Sequence, residues 1–271
     1  MSIPDLFKLQ GKKALVIGGG MGMGESSVRL LAEAGADVAV ADLLAERAER
    51  VSALVRGLGR KTACFAADVT NDAEAEAVIE KADQAMGGLD VLVTIVGQAL
   101  FTPLLDMTPD QWDFEQRRNL KHFFVTGKAA ARSMVARKSG GAMVCIASVD
   151  GIQGAVHHAA YGAAKAGLMH LVKSMASEWA PYGIRVNAVV PGTISTPRMP
   201  QTEAMKESVA RSLLPTGRSG TTDDIGKAVL FLASDMASYT TGHSLLVDGG
   251  WMTANLFDAR KATLNSNIEK G

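Results

Sequence analysis

The 271-residue chain contains only two cysteines, Cys64 and Cys145, too few for a disulfide framework. Each sits in an apolar, strand-like run, which points to buried reduced thiols rather than a bridge. Charge of one sign is also missing. Lys+Arg and Asp+Glu both total 28, so the chain lacks the basic excess that a nucleic-acid or anionic-membrane partner requires. No long hydrophobic run occurs; strings such as Val91–Val96 are far too short to span a bilayer. The first residues lack a charged stretch followed by an apolar one, so no signal peptide is expected and the expected compartment is the cytoplasm. Repeats, heptads and low-complexity tracts are absent from the sequence. His157 and His158 have no companion ligand spacing, so no metal site is expected.

What the chain has in excess is glycine, 28 residues, and five of them fall between Gly18 and Gly24. Strand-like and helix-like patterns alternate around this cluster. Strands are expected at Lys13–Ile17, Asp37–Ala41, Thr62–Ala66, Val91–Val96, Ala142–Ala147, Ile184–Val190 and Ser244–Val247. Helices are expected at Glu25–Ala34, Leu43–Arg56, Asn71–Met86, from Thr108 towards Lys138, and at Ala159–Ala180, Gln201–Leu214 and Thr222–Ser234. About seven strands alternating with helices predict an α/β fold, a doubly wound Rossmann-type parallel sheet in a single domain. Residues 1–251 would form that domain, and 252–271 a polar C-terminal extension, part of the same domain or an oligomer contact.

The cluster lies between a strand and a helix, where helix N-terminal N–H groups can face a pyrophosphate. Its spacing is G-x-x-x-G-x-G at Gly18, Gly22 and Gly24, and Gly19 and Gly20 read as tolerated neighbours. A tight turn without a ligand would satisfy the same pattern. Asp42 ends the second strand, where a carboxylate accepts hydrogen bonds from an adenosine ribose and repels a 2′-phosphate. With Met21 in the turn and Leu43 after the aspartate, NAD is expected in preference to NADP.

Tyr161 and Lys165 stand at i and i+4, one turn apart on one helix face. A fixed ammonium there is expected to lower the phenol pKa, suiting Tyr161 to general acid–base work. Ser148 follows the fifth strand, placed to hydrogen-bond a substrate oxygen at the carboxyl edge of the sheet.

With these residues in this order the chain resembles the short-chain dehydrogenase/reductases over roughly residues 8–252. The pieces that carry the resemblance are Gly18-x-x-x-Gly22-x-Gly24, Asp42, Asp68-Val69, Asn119, Ser148, Tyr161-x-x-x-Lys165, Pro191-Gly192 and Asp248-Gly249-Gly250. The resemblance implies that Asp68 and Val69 flank the adenine and that Ile194 and Thr196 meet the nicotinamide carboxamide. Asn119 would hold water behind Lys165, and Lys165 would bind the nicotinamide ribose. Gly97, the surviving residue of the fourth-strand motif, and Met23, where the family commonly has isoleucine, would also border the cofactor. The chain departs from the family at Ile17, where threonine is usual, and at Thr94-Ile95-Val96-Gly97, where Asn-Asn-Ala-Gly is usual. Thr94 is expected to replace part of the missing amide's hydrogen bonding.

The implied activity is hydride transfer between NAD(H) and a moderately apolar secondary alcohol or ketone. Asn119, Ser148, Tyr161 and Lys165 would be the catalytic set, and a homo-oligomer (tetramer or dimer) the assembly. Two other readings share the fold: an NADPH-dependent 3-oxoacyl-type ketoreductase, and a non-catalytic NAD-binding regulatory protein. Substrate-pocket candidates are Leu100, Phe101, the loop Gly151–Ala160 and the segment Arg198–Leu214. In that segment Met199, Met205, Leu213 and Leu214 are apolar, while Arg198, Lys206 and Arg211 leave an anionic substrate open. His157 and His158 are either pocket residues or solvated loop residues.

Overall fold

The structure, a computed structural model, describes residues 3–204 and 214–253. Seven strands form one wholly parallel sheet in the order β3-β2-β1-β4-β5-β6-β7. They are β1 (Lys13–Ile17), β2 (Asp37–Asp42), β3 (Cys64–Ala66), β4 (Val91–Thr94), β5 (Gly141–Ile146), β6 (Ile184–Pro191) and β7 (Ser244–Val247). The order reverses between β1 and β4, and that switch opens a crevice outside the carboxyl ends of the strands.

Period-two alternation in the strands divides the core into two layers. Leu15 and Ile17 of β1 and Leu92 of β4 point to one face, with Val78, Ile79, Phe123, Leu168 and Val172. These come from α4 (Asp72–Met86), α6 (His122–Arg137) and α7 (Ala159–Trp179). Ala14, Val16, Val91 and Val93 point to the other, with Val28, Leu31, Val51, Val55, Ile225 and Val229. That layer is built by α2 (Met23–Glu33), α3 (Ala45–Gly57) and α8 (Thr222–Ala233); a short α1 (Ile3–Phe7) precedes β1. Leu92 is fully buried in the central β4. Leu92→Ala is therefore expected to cost about 2–5 kcal/mol, to be read as a fall in the denaturation midpoint at unchanged m-value.

Local chemistry explains where the helices start. Asn71 caps α4 by accepting from the Ala73 and Glu74 N–H groups, and Thr221 and Asp224 form a reciprocal capping box on α8. Thr108 and Gln111 form another on α5 (Pro109–Gln116), which has proline in its first turn. The expected helix from Thr108 towards Lys138 is not uniform. A π-helical turn, Arg117–Lys121, joins α5 to α6, and Asn119 is buried within it.

Other differences are small. The fourth strand ends at Thr94 rather than Val96; the Ile95 N–H still donates to the Ile17 carbonyl at 2.8 Å, and Ile95 and Val96 lie against Gly18 of the glycine turn. Cys145 is buried as expected, but Cys64 on the edge strand is half-buried and donates to the Glu49 carboxylate at 3.0 Å. Most of the expected helix Gln201–Leu214, with Met205, Lys206, Arg211 and Leu213, lies outside the described residues, as does the extension after Thr253.

Candidate active site

The residues picked out above lie at the ends of strands or on the segments that follow them, towards the carboxyl edge of the sheet. The β1–α2 turn has Gly18 at φ 77° and Gly22 at φ 59°, conformations that glycine alone adopts freely. Gly24 lies so close to the first arm of the turn that a Cβ there would stand 1.9 Å from the Gly18 carbonyl oxygen. The open side of Gly22 faces Thr196 and Pro197, with a built Cβ 4.0 Å from the Thr196 Cβ. The glycine turn and the segment after β6 thus form two walls of one cleft, which fits a dinucleotide's phosphates.

At the end of β2, Asp42 is buried; its Oδ2 accepts the Gly20 N–H at 3.0 Å and its Oδ1 the Leu44 N–H at 3.2 Å. Gly20 is not the tolerated neighbour expected, since a Cβ there would meet Asp42 Oδ2 and the Arg47 Cβ, each at 2.6 Å. Asp68 closes its own turn by accepting from the Thr70 N–H and hydroxyl, beside buried Val69. Met23 opens α2 and packs against the core layer of that helix, and Ile194 forms a bridge with Gly220. A cavity of about 530 Å³ opens behind Ile194 at the ends of β6 and β7, bordered by Thr216, Lys227 and Asp248.

On the other side of the switch point, Ser148 follows β5 and caps a short turn, its hydroxyl accepting the Asp150 N–H at 3.2 Å. Tyr161 and Lys165 lie on the first turns of α7. The Lys165 ammonium is buried, donates to the Ile146 carbonyl at 2.7 Å, and lies 5.6 Å from the centroid of the Tyr161 ring. A Cβ on Gly97 would fall 2.8 Å from Asn119 Oδ1 and 2.9 Å from Lys165 Nζ. Asn119 and Lys165 therefore approach one another across this glycine.

Burial holds Lys165 down to about 8 and pushes the Tyr161 phenol up to about 12. The expected lowering of the phenol pKa by Lys165 is not found: desolvation raises it, and the Asp150 and Glu115 charges add to the rise. The group that pulls the phenol down is the Ser148 hydroxyl, through its hydrogen bond. Thr94 also departs from expectation: its hydroxyl is buried without a hydrogen-bond partner, so it does not replace the missing amide.

Two features went unread in the sequence. Glu115 sits four residues before Asn119, almost fully buried, and accepts from the Asn119 amide at 2.8 Å. The i, i+4 spacing was the available signal. The second is Asp150, whose Oδ2 lies 2.7 Å from His158 Nδ1. His158 stacks edge-on between Phe101, at 4.5 Å, and Tyr161, at 5.8 Å, while His157 is exposed with φ 64°. Of the two histidines, His158 is the one at the site.

Among the described residues no group of three or more side chains is arranged to hold a metal ion, and no helix is long and apolar enough to cross a membrane.

Comparison with known proteins agrees with this geometry. The profile of the family described as Enoyl-(Acyl carrier protein) reductase matches residues 18–252. The chain is 34% identical to 2-dehydro-3-deoxy-D-gluconate 5-dehydrogenase of Escherichia coli K12, covering 92% of this chain and 99% of that protein. It is 38% identical to 2-(S)-hydroxypropyl-CoM dehydrogenase 3 of Xanthobacter autotrophicus Py2, covering 91% and 98%. Among solved structures it superimposes on a gluconate 5-dehydrogenase from Burkholderia cenocepacia J2315, in complex with NADP and tartrate, with a TM-score of 0.87. That match has 33% identity and covers 94% of this chain and 100% of the other. The chain belongs to the short-chain dehydrogenase/reductase family, oxidoreductases that act on CH–OH groups.

Proposed function

We propose that the protein is an NAD-dependent dehydrogenase that converts a moderately apolar secondary alcohol to its ketone. Tyr161 is its general acid–base, Ser148 orients the substrate oxygen, and Lys165 links Tyr161 to the cofactor ribose. Asn119 holds the proton path behind Lys165. The observation that carries this reading is the meeting of Lys165 and Asn119 around Gly97, with the Tyr161 ring 5.6 Å from the Lys165 ammonium. When bound, the nicotinamide cofactor supplies the hydride acceptor. Ser148 donates to the substrate oxygen, and Tyr161 takes the hydroxyl proton and passes it towards Lys165 and Asn119. A phenol near 12 is a competent donor in the ketone direction and makes oxidation faster as pH rises.

The apolar substrate face rests on exposed Ile152 and Val156 between Ser148 and Tyr161, on Phe101, Leu104 and Leu105 after β4, and on Met199 after β6. Two of those segments are tied together by the Thr102 N–H donating to the His157 carbonyl. Exposed Trp112, Phe114 and Phe124 on α5 and α6 support a homo-oligomer, and the two free thiols suit a reducing compartment, the cytoplasm. Residues 1–251 act as one unit in this reading, with 252–271 as its extension.

NAD is favoured because Asp42 closes the ribose end of the cleft, and because Arg50 is engaged by the Glu25 carboxylate at 2.7 Å and the Gly20 carbonyl at 2.9 Å. The NADP reading has one observation of its own, Arg47 standing against Gly20 beside Asp42. A panel of secondary alcohols with each cofactor, read as nicotinamide absorbance, tests both. Turnover with NAD is expected to exceed that with NADP by more than about tenfold, and Asp42→Ala to shrink the ratio. A higher rate with NADP would reverse the assignment, and no turnover with either cofactor would remove the dehydrogenase reading.

A further inference from the structure

Among the described residues three charged side chains are buried: Asp42, Lys165 and Glu115. The proposed reaction employs the first two and leaves Glu115, 1% exposed, without a role. Its carboxylate is fully wired. Oε2 accepts from Asn119 Nδ2 at 2.8 Å and Oε1 accepts from the Leu100 N–H at 2.8 Å. Asn119 in turn is clamped to the same segment, its Oδ1 accepting the Gln98 N–H at 3.0 Å and its Nδ2 donating to the Gln98 carbonyl at 3.2 Å. This bracing comes from a helix. The fourth strand, with Thr94-Ile95-Val96 in place of an amide-bearing motif, leaves its one polar side chain unbonded.

We propose that the Glu115 carboxylate is a positioning residue: it aims the Asn119 amide and clamps the Gly97–Leu100 segment, fixing the gap across which Asn119 and Lys165 face one another. Both contacts are donated to Glu115, so both of its oxygens must accept. A glutamine has one acceptor and sets an NH₂ group against an N–H at the other contact, as a protonated carboxyl sets an O–H there. The charged and titratable groups facing Glu115 are Lys165 and Tyr161 of α7, His158 before that helix, and Arg118 of the π turn. Burial raises the pKa of Glu115 above the usual carboxylate range, so the acceptor pair is lost first on the acid side.

The proposal rests on the dehydrogenase reading only where activity is the readout. Two measurements test it: the pH dependence of kcat for wild type and Glu115→Gln, and amide exchange of the Gln98 and Leu100 N–H groups. Glu115→Gln is expected to lower kcat about 10- to 100-fold with little change in the substrate KM, and to abolish the acid limb that Glu115 protonation adds below the rise set by Tyr161. Glu115→Asp, which keeps the charge, is expected to retain that limb at reduced kcat. Protection of the Leu100 amide is expected to fall in Glu115→Gln. In the wild-type protein it is expected to fall at low pH, relative to β4 and β5 amides and after correction for intrinsic rates. A Glu115→Gln protein with wild-type kcat, pH profile and Leu100 protection would overturn the proposal, as would pH-independent protection in the wild type. If no alcohol is turned over, the dehydrogenase reading fails and the exchange data still decide the role of Glu115.

Discussion

Replacing Tyr161 by phenylalanine is expected to lower kcat by about 10²–10⁴-fold while leaving cofactor affinity nearly unchanged. The substitution removes one hydroxyl and keeps the ring. The edge-on contact with His158 and the position over Lys165 therefore persist, and with them the shape of the pocket. What disappears is the group that exchanges a proton with the substrate oxygen. Wild-type oxidation is expected to accelerate as pH rises towards the phenol's value of about 12, and the variant to lose that dependence. Titration with NADH, set beside steady-state rates across pH, separates binding from chemistry. Turnover within tenfold of the wild type would mean that another group moves the proton.

The second large effect is expected at Gly24. A methyl there would lie 1.9 Å from the Gly18 carbonyl oxygen and 2.9 Å from the Gly19 Cα, both backbone atoms that cannot rotate away. Gly24→Ala must push α2 off the turn it caps. The expected cost is about 1–3 kcal/mol of stability or more, with cofactor binding weakened about 30- to 100-fold. Gly57→Ala is the matched control. It closes α3 with no atom within 4 Å of a built Cβ, so its melting temperature and cofactor affinity should stay near those of the wild type. Equal effects at the two positions would show that close approach is not what Gly24 provides.

Most of the fold was legible because its signals are local. The alternation of Val-Ala-Val in β2, the apolar run of β4 and the Thr108-Pro109 helix start each depend on neighbours in the chain. The same holds for the glycine turn and for Tyr161 and Lys165, whose meeting follows from the pitch of one helix. What stayed hidden depends on contacts between distant segments. Gly20 is constrained by Asp42 and Arg47, which only β2 and α3 bring to it. Glu115 reads as one more polar residue on a charged helix until Leu100 and Asn119 close around it. The phenol pKa differs from the expectation for the same reason: i, i+4 spacing announces the nearby cation, whereas the desolvation that raises the phenol comes from the packed site.

The π-helical turn at Arg117–Lys121 has a consequence for how this stretch can vary. Its wide turn accommodates one residue more than an α-helix would and absorbs it locally, at the place where Asn119 is buried. Deleting a single residue there would let the stretch close into regular α-helix with α5 and α6 nearly in phase, but without the wide turn that carries Asn119. Asn119 would lose the position from which its Nδ2 reaches the Glu115 carboxylate, while the α6 residues that pack on the sheet kept their places. Point substitutions around Asn119 should therefore be tolerated on the exposed side of this stretch. Changes in its length should not, and the spacing from Glu115 to His122 works as a gauge block for the cleft.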